Sequence, residues 1–136
     1  MVKEYQISGE DFSTAGEASS NFKSILKMLG VPAETVRRVS VAMYEAEINT
    51  IIHGGGGKCT AEIENGRIKI IFSDHGPGIP DISLAMREGY STASDRVREL
   101  GFGAGMGLPN IKKYTDDLII DSKPGEGTNV TLIINL

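Results

Sequence analysis

Two runs of glycine limit where regular structure can form in this chain. Gly54 to Gly57 are consecutive, and every second residue from Gly101 to Gly107 is glycine. Glycine loses more backbone entropy on folding than any other residue, so neither run favours a helix or a strand. We expect the first run to end a helix and the second to form a loop that leads into another helix near Met106.

Two helices are predicted before the first glycine run, after a weak strand at residues 3–8. Ser13 or Thr14 is the candidate N-cap of the first helix, which ends at Gly30. Its inward positions are Ala15, Ala18, Phe22, Ile25, Leu26 and Leu29. The second helix has Pro32 in its first turn. Its apolar face comprises Val36, Val39, Val41, Ala42, Ile48 and Ile51.

A hairpin follows, because Asn65-Gly66 separates the apolar segments 58–64 and 67–73 and suits a two-residue turn. Two more strands are predicted at residues 117–121 and 128–135. These elements indicate an α+β fold: a two-layer sandwich with a mixed, mainly antiparallel sheet and helices on one face, formed by residues 1–136 as one domain.

A third helix is predicted at residues 106–114, after a long segment from Asp74 to Gly107 with little regular patterning. Its one helical piece lies around residues 82–87. A loop of this length inside a compact domain usually has a function.

Composition excludes several classes of protein. The formal net charge of -4 disfavours a nonspecific nucleic-acid binder, which needs an excess of Lys and Arg. Cys59 is the only cysteine, so we expect a small, semi-buried apolar residue and a reducing compartment. No apolar run is long enough to span a bilayer, and the first residues do not resemble an export signal. We therefore expect a cytoplasmic protein without direct contact with nucleic acid or membrane.

The alternating glycines are suited to binding phosphate. They allow backbone N–H groups to approach an anion, and the helix that follows adds free donors and a partial positive charge. The segment is not a Walker A loop, because no Gly-Lys-Ser/Thr follows, and no strand precedes it as in a Rossmann fingerprint.

Glu45 and Asn49 are four residues apart and so share a face of the second helix. An Asn carbonyl oxygen can bind Mg²⁺, and a Glu carboxylate can polarise a hydroxyl or water. If this pair stood alone, the better interpretation would be that Glu45, Glu47 and Asn49 form a solvated helix face.

Asp74 follows the apolar strand 68–72, which places a carboxylate at the edge of the core. It can accept a hydrogen bond from an adenine amino group. The ordinary alternative is that it caps the turn that follows.

Four motifs in this order resemble the N box and the three glycine boxes of the GHKL ATPase superfamily, which includes gyrase, heat-shock chaperones, histidine kinases and mismatch-repair proteins. They are Glu45-x-x-x-Asn49, Asp74-x-Gly76-x-Gly78, Gly103-x-Gly105-x-Gly107-Leu108 and Gly125-x-Gly127-Thr128. The resemblance covers roughly residues 10–136 and implies the Bergerat ATP-binding fold. The segments Arg87 to Thr92 and Gly103 to Pro109 are most similar to bacterial anti-sigma-factor-type serine kinases.

The resemblance implies ATP and Mg²⁺ as cofactors and a role for each matched residue. Glu45 would be the general base, Asn49 the magnesium ligand, and Asp74 the acceptor for the adenine amine. The remaining nucleotide contacts would be Gly76, Gly78, Gly103, Gly105, Gly107, Leu108 and Thr128. Residues from about 88 to 105 would form the ATP lid.

The function implied is an ATP-dependent serine/threonine protein kinase that phosphorylates a protein antagonist in a partner-switching module. A sigma factor or another regulator is a further expected partner, and related kinases often form homodimers. The alternative is a non-catalytic, ATP-sensing anti-sigma or scaffold protein. The catalytic domain of a histidine kinase is disfavoured, because residues 1–40 contain no phosphoacceptor His. A plain two-layer domain without nucleotide stays open.

Two histidines depart from the family pattern. His75 replaces the small or acidic residue common at its position, and we expect it to be incidental. His53 lies at a helix end, where the helix dipole favours the protonated form, so we expect a stabilising charge there.

Overall fold

The computed structural model describes residues 1–9, 12–76, 86, 107–123 and 125–136. The predicted ATP lid lies outside the described residues. So does the short helix predicted around residues 82–87, apart from Met86.

Five strands form one sheet, as the sequence predicted. Their bounds are Val2–Ile7 (β1), Gly57–Glu64 (β2), Arg67–Asp74 (β3), Asp117–Lys123 (β4) and Gly127–Asn135 (β5). The order across the sheet is β1-β2-β3-β5-β4, and every pairing among these strands is antiparallel. The predicted hairpin joins β2 to β3, with positive φ angles of 50° at Asn65 and 74° at Gly66.

In the part of the chain that the structure describes, three α-helices cover one face of the sheet. They are Glu17–Met28 (α1), Ala33–Ile52 (α2) and Gly107–Tyr114 (α3), and a short 3₁₀ helix at Phe12–Thr14 precedes α1. Burial alternates along β3: Ile68, Ile70 and Phe72 are buried, and the residues between them are partly exposed. This alternation is typical of a sheet with one face against the core, and it confirms the two-layer α+β prediction.

The core lies between the helices and this face of the sheet. Its largest fully buried apolar side chains are Phe22, Leu26, Val39, Met43, Ile51, Ile68, Ile70, Phe72, Ile111, Leu132 and Ile134. Cys59 is also fully buried, whereas the sequence predicted a semi-buried position. The predicted inward position of Leu29 is wrong. Its side chain is 59% exposed, because α1 ends at Met28 and the chain turns away at Gly30, whose φ is 77°.

The start of α1 differs from the prediction. Ser13 and Thr14 lie in the 3₁₀ helix, and Gly16, with φ of 91°, occupies the N-cap position without a side chain to cap the helix. A side chain of α2 caps α1 instead. The backbone N–H groups of Gly16, Ala18 and Ser19 donate to the Glu47 carboxylate over 3.0, 3.2 and 3.1 Å.

Glu47 is therefore not part of a solvated helix face, and only 2% of its surface is exposed. Three N–H donors replace the water that a buried carboxylate loses, which is the condition under which such a charge is tolerated. Within the described part of the chain, no helix has the length and apolar character needed to cross a membrane.

Candidate functional site

The carboxyl end of α2 lies next to the strand end that carries Asp74. The His53 N–H donates to the Asn49 carbonyl over 2.9 Å and completes the last turn of the helix. The tetraglycine segment then reverses the chain into β2, with φ angles of 69° at Gly55 and 96° at Gly56. Gly57 pairs with Asp74 in the sheet, so this turn brings the end of α2 against the end of β3.

Asp74 is partly buried at that junction. Its Oδ1 accepts a hydrogen bond from the Gly76 N–H over 2.9 Å, which is the turn-capping contact that the sequence left open. Its carboxyl group rests on Gly54: a Cβ built there would lie 2.5 Å from Asp74 Cγ and 2.6 Å from Oδ2. No hydrogen bond to Oδ2 is found among the described residues.

The third glycine box packs against the same strand end. Thr128 pairs with Asp74 across the β3–β5 ladder, and its Oγ1 lies 2.9 Å from the Ser122 Oγ. Gly127 has φ of 108°, and a Cβ built there would collide with the Asp74 carbonyl oxygen at 2.2 Å. The close approach of β5 to Asp74 therefore requires glycine at this position.

Glu45 and Asn49 are partly buried one turn apart on α2, so the predicted shared face exists. The side-chain amide of Asn110, in the first turn of α3, faces the Glu45 carboxyl and favours its ionised form. Glu45 therefore lies beside the helix start into which the alternating glycines lead. Glu45 and Asn49 thus lie on α2, and Gly54, just after the end of α2, packs against the Asp74 carboxyl group.

Burial changes the acidity of two groups near this end of α2. It raises the pKa of the Glu45 carboxyl, and the Asn110 amide offsets that rise only in part. It lowers the pKa of His53, although the Asp74 carboxylate acts in the opposite direction. This lowered pKa runs against the expectation that the helix end favours protonated His53, because the loss of water outweighs the effect of the neighbouring carboxylate.

Comparison with known proteins agrees with this geometry. Residues 11–134 match the histidine kinase-like ATPase domain family. This chain belongs to that family.

Two relatives have informative names. This family member is 34% identical over 115 residues to the serine/threonine-protein kinase RsbT of Bacillus subtilis, across 82% of this chain and 80% of RsbT. It is 35% identical over 104 residues to an anti-sigma F factor of Thermoanaerobacter sp., across 73% of this chain and 69% of that protein.

Two solved structures share the fold of this histidine kinase-like ATPase domain. The RsbU and RsbW domains of Rv1364c from Mycobacterium tuberculosis superpose with a TM-score of 0.68 at 15% identity, over 100% of this chain and 32% of that chain. The SiaB-SiaC complex from Pseudomonas aeruginosa gives a TM-score of 0.64 at 13% identity, over 97% and 88% of the two chains. At these identities the likeness supports the fold alone.

Other predicted site residues are described only in part, or lie outside the described part of this ATPase-family chain. Gly78, Gly103 and Gly105 are not described, and Gly107 is described only as the first residue of α3. The Leu108 side chain is buried in the core, so its backbone N–H is the group that can face a ligand.

Sequence reasoning missed Asn110, Ser122 and the steric role of Gly54. Asn110 had a signal, since it is a polar residue between the buried residues Leu108 and Ile111 on a short helix. No sequence signal marked Ser122 or Gly54, because each acts through a contact that only the strand register creates.

Proposed function

We propose that this chain is an Mg-ATP-dependent serine/threonine protein kinase of the anti-sigma regulatory type, which phosphorylates a protein antagonist in a partner-switching module. One observation carries the proposal: the Glu45 carboxyl, with its raised pKa, lies beside the amino end of α3 and one turn from Asn49. A base, a hard oxygen ligand and a helix amino terminus at one place suit transfer of a phosphoryl group. The kinase name of the RsbT relative supports the same reaction class.

The described residues fit a bound Mg-ATP. Oδ2 of Asp74, which has no partner in the described part of the chain, would accept from the adenine amine, and Thr128 lies beside Asp74 in register. Asn49 supplies a carbonyl oxygen of the kind Mg²⁺ prefers. When bound, Mg-ATP would supply the transferable phosphoryl group and the metal charge that neutralises its oxygens.

Further contacts with the nucleotide belong to the glycine boxes. We assign the backbone of Gly107 and Leu108, at the start of α3, to the phosphates together with Gly103 and Gly105. Gly76 and Gly78 would leave room for the base beside Asp74.

Glu45 would take the proton from a serine or threonine hydroxyl of the partner. Its raised pKa makes its carboxylate a stronger base than an exposed glutamate, and Asn110 would hold the carboxylate in place. The phosphoacceptor would be a protein antagonist, and a sigma factor is a second proposed partner. We place the protein in the cytoplasm, where ATP is abundant.

The test is phosphotransfer by Glu45→Gln. Purified wild type and variant are incubated with Mg-ATP and a panel of candidate antagonist proteins, and phosphoserine and phosphothreonine are measured by mass spectrometry. We expect the variant to transfer about 10² to 10⁴ times more slowly, the usual contribution of a general base, while its ATP affinity by calorimetry changes little. Glu64→Gln, the same change at an exposed position in the hairpin, is the matched control.

Two results would decide against the kinase. If wild type forms ATP-dependent complexes with an antagonist and no phosphate is transferred, the chain is an ATP-sensing binding protein. If Glu45→Gln transfers phosphate at the wild-type rate, Glu45 is not the base.

A further inference from the structure

The backbone conformation at Gly54 does not require a glycine. The described glycines with positive φ include its neighbours Gly55 and Gly56, whereas Gly54 is not among them. Backbone conformation therefore explains glycine at positions 55 and 56 and leaves position 54 unexplained.

The space around Gly54 provides the reason. The three atoms nearest to a Cβ built there all belong to Asp74: Cγ at 2.5 Å, Oδ2 at 2.6 Å and Cβ at 2.7 Å. Real Cβ atoms essentially never come this close to another heavy atom, so any side chain at Gly54 would have to displace the carboxyl group.

The Asp74 side chain cannot move away from Gly54 without losing contacts. Its backbone is paired with Gly57 on one side and Thr128 on the other, which fixes the direction in which the side chain leaves the strand. Its Oδ1 is bound to the Gly76 N–H over 2.9 Å. Gly76 is tightly packed too, since a Cβ built on it would lie 2.9 Å from the Gly54 Cα.

We propose that Gly54 is a positioning residue that sets the direction of the Asp74 carboxylate, and thereby gives the site its preference for a base that carries an exocyclic amino group. This inference rests on the proposed nucleotide site. Oδ2, the oxygen without a described partner, is also the one that a methyl group at position 54 would displace. A displaced carboxylate would lose its alignment with the amino donor, and buried hydrogen bonds of this kind discriminate strongly between ligands with and without the donor.

The experiment measures which nucleotide base the site prefers, and it does not measure kinase activity. Calorimetry gives the affinities of wild type, Gly54→Ala and Gly55→Ala for Mg-ATP and Mg-ITP, which has a carbonyl where ATP has the amino group. Gly55→Ala is the matched control, because it strains a backbone with φ of 69° but meets nothing within 4 Å. We expect Gly54→Ala to bind ATP at least tenfold more weakly than wild type and to lose most of the ATP-over-ITP preference, whereas Gly55→Ala keeps that preference.

The outcomes separate this inference from the proposed function. If wild type prefers ATP and Gly54→Ala keeps the same preference, the inference is overturned and the nucleotide site stands. If wild type binds neither nucleotide, the proposed function fails and this inference fails with it.

A second variant covers the case in which Gly54→Ala does not fold. The double variant Gly54→Ala with Asp74→Gly removes all three atoms that the new methyl group would meet. If circular dichroism shows that folding is restored, the contact with Asp74 is the constraint, as proposed. If the double variant is also unfolded, the constraint lies elsewhere and the inference is overturned.

Discussion

Glu45 shows how the burial of a single carboxyl group can lower stability at neutral pH. Burial raises the pKa of its carboxyl above the ordinary 4.5, so the folded protein holds this proton more tightly than the unfolded chain does. In the pH range just above 4.5, the folded state therefore binds more protons, and the free energy of unfolding falls as the pH rises through that range.

Replacing Glu45 with Gln should consequently stabilise the protein at neutral pH. The variant lacks the charge that burial penalises, so we expect a higher Tm than wild type at pH 7.5 and a gap that closes near pH 4. Thermal unfolding followed by circular dichroism across this range measures the difference. Glu64→Gln should show no such gain, and a lower Tm for Glu45→Gln at pH 7.5 would contradict the prediction.

His53 should make the protein less stable in mild acid. Burial lowers its pKa below the ordinary 6.5, so the unfolded chain takes up a proton at a pH where the folded protein does not. Stability is therefore complete above pH 6.5 and falls as the pH drops through the range below it.

We expect His53→Asn to reduce the loss of Tm between pH 7.5 and pH 5. The other histidine is a convenient control, because His75 is exposed and His75→Asn should keep the wild-type slope. Equal slopes in wild type and His53→Asn would show that His53 does not contribute.

At the scale of the element, α1 depends on a residue of α2. Glu47 accepts three N–H groups at the start of α1, and no side chain at the Gly16 N-cap replaces it. The two helices are thus joined by a buried, charge-assisted contact as well as by apolar packing.

Glu47→Ala should destabilise the fold by about 3 kcal/mol, because several buried N–H donors would lose their acceptor at once. Urea denaturation monitored by circular dichroism provides the measurement. An exposed glutamate of the hairpin serves as reference, since Glu64→Ala should change the free energy of unfolding by less than about 0.5 kcal/mol. Similar midpoints for the two variants would refute the capping role.

The elements that could be predicted are those whose signals are local. Asn65-Gly66 encodes its own turn, and Gly30 and the tetraglycine end their helices through backbone geometry alone. The cap of α1 could not be predicted, because its acceptor is 28 to 31 residues away from its donors.

Some features of the candidate site could likewise be predicted from local sequence, and others could not. The four-residue spacing predicted that Glu45 and Asn49 share a face of α2, and the apolar run 68–72 predicted that Asp74 ends a strand. The burial that shifts the pKa values of Glu45 and His53 depends on packing between elements. So does the contact of Gly54 with Asp74, which only the β2–β3 register creates.

At the scale of the whole molecule, a nucleotide would connect parts of the chain that are distant in sequence. The end of α2 adjoins the end of β3, and the start of α3 lies beside Glu45 of α2. A ligand that contacts these parts would stabilise the folded state alone. At a hundred times its Kd such a ligand adds about 2.7 kcal/mol.

We therefore expect Mg-ATP at that excess to raise Tm by about 9 °C for a chain of this length. A thermal shift assay detects a change of this size, and Asp74→Asn should lose most of it because the amide no longer offers two acceptor oxygens. The absence of any shift in wild type would count against a nucleotide site.

The N-terminal cap of α1, which Glu47 of α2 supplies, also affects when α1 can form during protein synthesis. The ribosome adds residues 12–30 before it adds Glu47, so the segment that becomes the first helix is complete before the group that satisfies its leading N–H donors exists. A helix this short is marginal by itself in water. We infer that α1 stays largely uncoiled during synthesis until α2 follows, and that the two helices assemble in one cooperative event.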